Sequence, residues 1–205
     1  MRKLFLTAAG LLYAVFLFLD LTLAGNSAPL KFAAILLCFA AALCGPRTTD
    51  GCLTALTLGF AACADRFLLV PGGHYSLGVA LFCIVQALYC ARLVRWRGGI
   101  CRPVLALRLA PLAVCLFTRE PLAVLVPLYF TNLVCSALEA ALFRPARRES
   151  RRFAAGLFLL ACCDLCVGAF NLGLWTGFTR IGMWLFYLPS QMVVVLSAQS
   201  KGDVP

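Results

Sequence analysis

Eight long apolar runs constrain this chain more than any other feature: Leu4–Leu23, Pro29–Cys44, Leu53–Val70, Tyr75–Leu93, Pro103–Thr118, Leu122–Phe143, Phe153–Trp175 and Ile181–Ser197. A helix needs roughly 17–25 residues to cross the hydrocarbon of a bilayer, and only two runs fall slightly short. A chain of 205 residues that is 63% hydrophobic and 13% charged cannot hide such runs in a water-soluble core, so its solvent is lipid. The expectation is an all-α integral membrane protein, one domain with eight transmembrane helices and no linker. Arg108 interrupts the fifth run; an arginine near a helix end can snorkel to the headgroups. Seven spans plus a re-entrant segment is the alternative. The first run follows Arg2 and Lys3 as a secretory signal would, with Thr22-Leu23-Ala24 resembling a cleavage site. It exceeds the roughly 7–15 apolar residues of such signals and reads as a retained anchor.

Charge placement orients the spans. Lys and Arg number 18 against 8 Asp and Glu, but the excess makes no surface for nucleic acid. Arg2 and Lys3, Arg47, then Arg92, Arg95, Arg97 and Arg102, then Arg144, Arg147, Arg148, Arg151 and Arg152, and finally Lys201 all fall on one side if the helices alternate. Lys31, Arg119 and Arg180 fall on the other. This is positive-inside asymmetry, which places both termini in the cytoplasm. The membrane is then a bacterial plasma membrane or a eukaryotic endomembrane. The basic stretch Arg144–Arg152 reads as a loop touching anionic lipid.

The 12 cysteines sit mostly singly in apolar runs, where cysteine acts as a small hydrophobe. Only Cys162, Cys163 and Cys166 cluster. Without a second cluster, and with His74 the sole histidine, no metal site and no cofactor are expected.

Polar residues inside lipid cost about 2.5–3.5 kcal/mol for a central aspartate and therefore need a reason. From a rise of ~1.5 Å per residue, Asp65 lies ~18 Å and Asp164 ~17 Å from the basic edge, and Gln86 and Gln191 lie ~15–16 Å from the opposite edge. All four are thus expected near the midplane. Asn171 shares a face with Asp164, with Gly168 between them, and suits close packing or a cleft. Glu139 reads as an interfacial charge beside Arg144. Asp20 and Lys31 could pair or could line a mouth. Arg66 points away from Asp65. A faint echo, Ala62-Cys63-Ala64-Asp65 against Ala161-Cys162-Cys163-Asp164, each followed by a helix with a glutamine, suggests a parallel 4+4 internal repeat with a site between the halves.

These residues together resemble the YhhN family of membrane proteins, whose characterised members are lysoplasmalogenases. Lys31 in PLKFAA resembles the family's lysine opening the second helix, and Asp65 in CADRFLL its first aspartate. GVALFCIVQALY is similar to a G-x-x-x-F…H-x-x-Y helix, with Tyr89 at the tyrosine. GLFLLACCDLCVGAFN places Asp164 at the second acid, and YLPSQ places Tyr187 and Gln191 in the last helix. Gln86 stands where the family has histidine, and the proline after the lysine is missing.

The resemblance implies hydrolysis of the vinyl ether of a single-chain ether phospholipid, a lysophospholipid substrate drawn from membrane lipid. That chemistry needs a proton donor to carbon, a base for water, and negative charge beside an oxocarbenium ion. Two neighbouring carboxyls, one protonated and one ionised, supply all three. Asp65 and Asp164 would carry them, with Lys31, Gln86, Tyr89, Asn171, Tyr187 and Gln191 binding or orienting substrate and water. A small-solute transporter using the same polar residues is the main competitor, and a purely structural membrane protein is the third reading.

Overall fold

The computed structural model describes residues 1–22, 25–69, 74–142 and 148–199. Within them the chain is all-helical: α1 (Arg2–Thr22), α2 (Ala28–Leu43), α3 (Thr49–Leu69), α4 (Tyr75–Arg97), α5 (Arg102–Leu109), a 3₁₀ segment (Ala110–Leu116), α6 (Pro121–Leu142), α7 (Arg148–Asn171) and α8 (Thr176–Leu196). Each apolar run has become helical. Five helices, α1, α3, α4, α6 and α7, are long and apolar enough to cross a membrane. The 16 residues of α2 make it a shorter apolar helix, and α8, with 21 residues, is not among the five. The chain is a helical membrane protein.

Local chemistry moves several boundaries. The arginines after Leu93 are good helix formers and carry α4 on to Arg97. It stops at Gly98, whose φ of 76° lets the Gly98 and Gly99 amides bond back to the Arg95 and Val94 carbonyls. Gly173, at φ 73°, ends α7 at Asn171 in the same way, before the expected Trp175. Val70 and Phe143, the expected ends of the third and sixth runs, lie outside the described residues.

The fifth run is not one continuous span. Pro111 has no amide hydrogen to give the Leu107 carbonyl, and the α-helix yields to a 3₁₀ segment just before it. The Ala110 amide reaches the Leu107 carbonyl, and the neighbouring Arg108 carbonyl accepts from the Asn132 side chain at 3.0 Å. Arg108 does not snorkel. It is 2% exposed and donates to the Asn132 carbonyl, the Ser136 hydroxyl at 2.9 Å and Glu139 at 2.5 Å. Glu139 is therefore held by Arg108 and Arg97, rather than acting as a free interfacial charge. Its expected partner Arg144 lies outside the described residues, as do Arg147 and Lys201.

Two helix pairs, α3 with α4 and α7 with α8, form the body of the bundle. Small residues let the backbones approach. A Cβ on Gly78 would stand 2.7 Å from Leu68 and 3.2 Å from the Ala64 carbonyl. One on Gly156 would stand 2.8 Å from Val194 and 3.3 Å from the Ser190 carbonyl.

At one end a buried ion pair ties the helices together. Arg92, the last residue but one of the fourth run, is not one of the charges between the fourth and fifth helices. It is fully buried inside α4 and donates to both oxygens of Asp50, at 2.9 and 3.0 Å. Asp50 also accepts from Trp96 Nε1 at 3.0 Å and from the Gln199 amide at 2.9 Å. The carbonyls ending α8 are capped by guanidiniums: Arg2 on Val195, Arg152 on Leu196 at 3.2 Å, and Arg92 on Ser197 at 3.4 Å. Positive charge there also complements the helix dipole. The starts of α1, α3 and α7 thus meet the ends of α4 and α8 at this basic end.

Removing one member of a buried ion pair strands the other without a partner, at a cost of about 3–5 kcal/mol. Asp50→Ala is accordingly expected to lower the thermal unfolding midpoint of the detergent-solubilised protein sharply. Native-like stability in that variant would show that the clasp is dispensable.

Candidate functional site

The opposite half of the bundle holds an open cavity of ≈ 720 Å³ between α3, α4, α6, α7 and α8. Its walls are largely apolar, and both Asp65 and Asp164 face it. Each acid has one phenol as partner. Tyr187 on α8 donates to Asp65, and Tyr129 on α6 donates to Asp164 at 2.6 Å. The Phe82 ring stands between the two phenols, 5.8 Å from Tyr129 and 6.5 Å from Tyr187 by ring centroids. Among the described residues, neither carboxyl's second oxygen receives a hydrogen bond, so each is free to meet a ligand.

Tyr187 is placed by the irregularity of its own helix. Pro189 lies inside α8 and cannot bond the Leu185 carbonyl. The Tyr13 hydroxyl on α1 donates to that carbonyl instead, at 3.0 Å. Trp184 packs edge-on against Tyr187 at 5.6 Å and also lines the cavity. Behind Trp184, 4.7 Å from its ring centroid, sits the Lys31 ammonium.

Lys31 pairs with Asp20 at 2.8 Å, which decides between the two readings of these charges. It does not line the cavity as a substrate-binding lysine would; it backs a residue that does. Asn171 is exposed at the outer part of the cavity wall. Gln86, Tyr89 and Gln191 are buried, at 1%, 0% and 1% exposure, and do not line the cavity.

The expected common depth also needs correction. Gln86 and Gln191 each follow by four residues a member of the Phe82–Tyr187 pair, so they lie ~6 Å nearer the basic end than the acids. Asp65 is four residues from the end of α3 and Asp164 seven from the end of α7, so the acids lie only ~6–10 Å below the non-basic end.

The cavity is open at its side as well as its end. Val126 on α6 and Leu165 on α7 line it and are 46% and 61% exposed, so its wall reaches the outer apolar surface of the bundle along these helices. Such a space admits an amphiphile sideways and presents two carboxyls to its polar portion.

A family model described as the YhhN family matches residues 26–198. The chain belongs to the YhhN family. No curated protein and no solved structure is detectably similar to it. In this YhhN protein the motif residues divide by place: the two aspartates and Tyr187 face the cavity, Gln86, Tyr89 and Gln191 lie beneath it, and Lys31 stands behind its wall. Tyr129 escaped the sequence reading because a lone tyrosine in an apolar helix carries no pattern. Its signal is the partner it finds.

Cys163 lines the cavity beside Asp164, whereas the Cys166 sulfur packs toward Gly182 of α8. Among the described residues no group of three or more His, Cys, Asp or Glu is arranged to hold a metal ion. Converting Cys162, Cys163 and Cys166 to alanine or serine is expected to preserve folding, with no change in metal content by elemental analysis of the purified protein. Stoichiometric zinc in the native protein that vanished with these substitutions would assign the cluster to metal after all.

Proposed function

We propose that the protein is a lysoplasmalogenase-like hydrolase that cleaves the vinyl ether of a lyso ether phospholipid. The observation carrying this reading is a pair of aspartates, each bonded to a tyrosine, facing one apolar cavity that is open to lipid. Membership of the YhhN family points to the same reaction class.

The depth of the acids suits the substrate. In a single-chain ether lipid the vinyl ether adjoins the glycerol, close to the headgroup. Acids ~6–10 Å below the helix ends meet that bond while the headgroup stays at the mouth, near Asn171. The hydrocarbon chain leaves along α6 and α7. With the basic end cytoplasmic, as the charge bias favours, the lipid comes from the opposite leaflet.

The reaction then follows from the groups present. One carboxylic acid gives its proton to the outer vinyl carbon, and the ether oxygen shares its electron pair to form an oxocarbenium ion. The other carboxylate takes a proton from water as the water oxygen bonds to the cationic carbon. The hemiacetal so formed collapses: its hydroxyl proton goes to the first carboxylate as the carbonyl forms, the carbon–oxygen bond to glycerol breaks, and the second carboxylic acid returns its proton to the departing oxygen. The products are a fatty aldehyde and a glycerophospho-headgroup. An apolar surround strengthens the attraction between the carboxylate and the cation. The tyrosine hydroxyls hold each carboxyl in one rotamer, with its second oxygen toward the lipid.

Asp65→Asn and Asp164→Asn should each remove aldehyde release while the protein still inserts and folds. The amide keeps the shape but neither donates a proton to carbon nor takes one from water. General acid–base help is worth about 10²–10⁴-fold, and lost cation stabilisation deepens the effect. The double variant should be scarcely worse than either single, because groups acting as one unit are strongly non-additive. The measurement is fatty-aldehyde release from defined lysoplasmalogens by purified protein. Native protein inert toward every headgroup class would sink the proposal.

A further inference from the structure

Beneath the cavity floor lies a set of polar groups that the bundle buries without satisfying. Both carboxamide atoms of Gln86, both of Gln191, and the hydroxyls of Tyr89 and Ser190 have no hydrogen-bond partner among the described residues. All four residues are at most 1% exposed. The Arg92 Nη1 is buried and unpartnered as well. Such groups cost about 1–3 kcal/mol each when left bare, and native interiors hold few of them.

Their positions are related. The helices α4 and α8 run in the same direction, with side chains rather than backbones meeting between them. Phe82 faces Tyr187 at the cavity floor, and Arg92 donates to the Ser197 hydroxyl at 3.2 Å at the basic end. Gln86 and Gln191 each come four residues after the first pair and six before the second, so the two carboxamides stand level across the gap. Tyr89 and Arg92 follow on α4, each three residues further toward the basic end, and both lie against the Phe153 ring of α7. Unpartnered donors and acceptors therefore run from the cavity floor to the Asp50–Arg92 clasp.

We propose that Gln86, Tyr89, Ser190 and Gln191 hold a file of water molecules, the supply of hydrolytic water to the aspartates from the basic end of the bundle. Water is the ligand whose size and chemistry fit. Each amide offers donors and an acceptor, each hydroxyl offers both, and a buried water needs two to four such partners. A charged ligand is disfavoured, because among the described residues the charge adjoining these groups is Arg92, already held by Asp50. The cavity itself is apolar and faces lipid, and an occupying hydrocarbon chain would exclude water arriving that way. Hydrolysis consumes one water per turnover, and a route from the basic end would supply it while lipid fills the cavity. The water's role rests on the hydrolase reading, whereas the water site itself does not.

Radiolytic hydroxyl-radical footprinting separates the two. Brief X-ray exposure makes radicals from water in place, so a buried side chain is modified only where water is held beside it. In the native protein in lipid nanodiscs, Tyr89 should be modified several-fold faster, after correction for intrinsic reactivity, than the equally buried Ile35 and Leu58. Gln86→Leu and Gln191→Leu should suppress the Tyr89 modification and leave exposed residues unchanged. Tyr89 modified no faster than Ile35 and Leu58 overturns the proposal, and that comparison needs only the native protein. Unchanged Tyr89 modification in both leucine variants overturns the assignment to these glutamines. In the aldehyde assay the same variants should lose about tenfold in kcat, the worth of one lost hydrogen bond to reacting water, with KM unchanged. A raised KM with unaltered kcat would instead place the glutamines on the lipid and reject the water role. Failure of native protein to release aldehyde would remove the hydrolase reading, while a fast Tyr89 modification would still establish the water site.

Discussion

The site depends on a contact far from it, the buried pairing of Arg92 with Asp50. That bond fixes the axial register of α4 against α3, and its extension to Ser197 fixes α8 against both. Asp65 is fifteen residues from Asp50, ~22 Å along a straight helix, and its phenol partner Tyr187 is ten residues before Ser197. A helix that slid by one turn at the basic end would carry Tyr187 about 5 Å away from Asp65. Fully desolvating a guanidinium is costly. Here the cost is offset by four donors converging on one carboxylate and by the Phe153 ring, 4.4 Å from the guanidinium carbon.

Much of the fold was legible in the sequence because lipid imposes one rule on every residue. Backbone groups must bond internally there, so each apolar run had to become helical. The errors lie where side chains override that rule. Pro111 broke the fifth run. Arg108 stayed inside because Asn132, Ser136 and Glu139, spaced along one face of α6, gather around it, a pairing of two helices that the fifth run by itself does not announce. Arg92 looked like a loop charge for the same reason: its partner, Asp50, lies 42 positions away.

The site was legible in part. Aspartates in apolar helices stand out on cost alone, and Asp65 and Asp164 do share a cavity. The family pattern also selected Tyr187 and Gln191. What could not be read was the division of labour among these residues, because spacing along a helix tells which face a residue occupies and not what fills the gap opposite. Lys31 shows this well. Its charge is spent on Asp20, and its influence on the cavity passes through Trp184 and then Tyr187.

A hydrolase of the proposed kind must bring together a substrate that avoids water and a reagent that is water. The two halves of the bundle have different interiors, which suits that reading. Near the non-basic end the helices splay, leaving an apolar space with exposed Val126 and Leu165 at its side. Toward the basic end the interior tightens around amides, hydroxyls and finally an ion pair. Asp65 and Asp164 stand at the boundary, just above the Phe82–Tyr187 contact. A glutamine at position 86, where the resemblance implies a histidine, suits the proposed water file, since holding water takes donors and acceptors rather than a titrating group. A carboxamide supplies both without adding charge to a region that already carries Arg92.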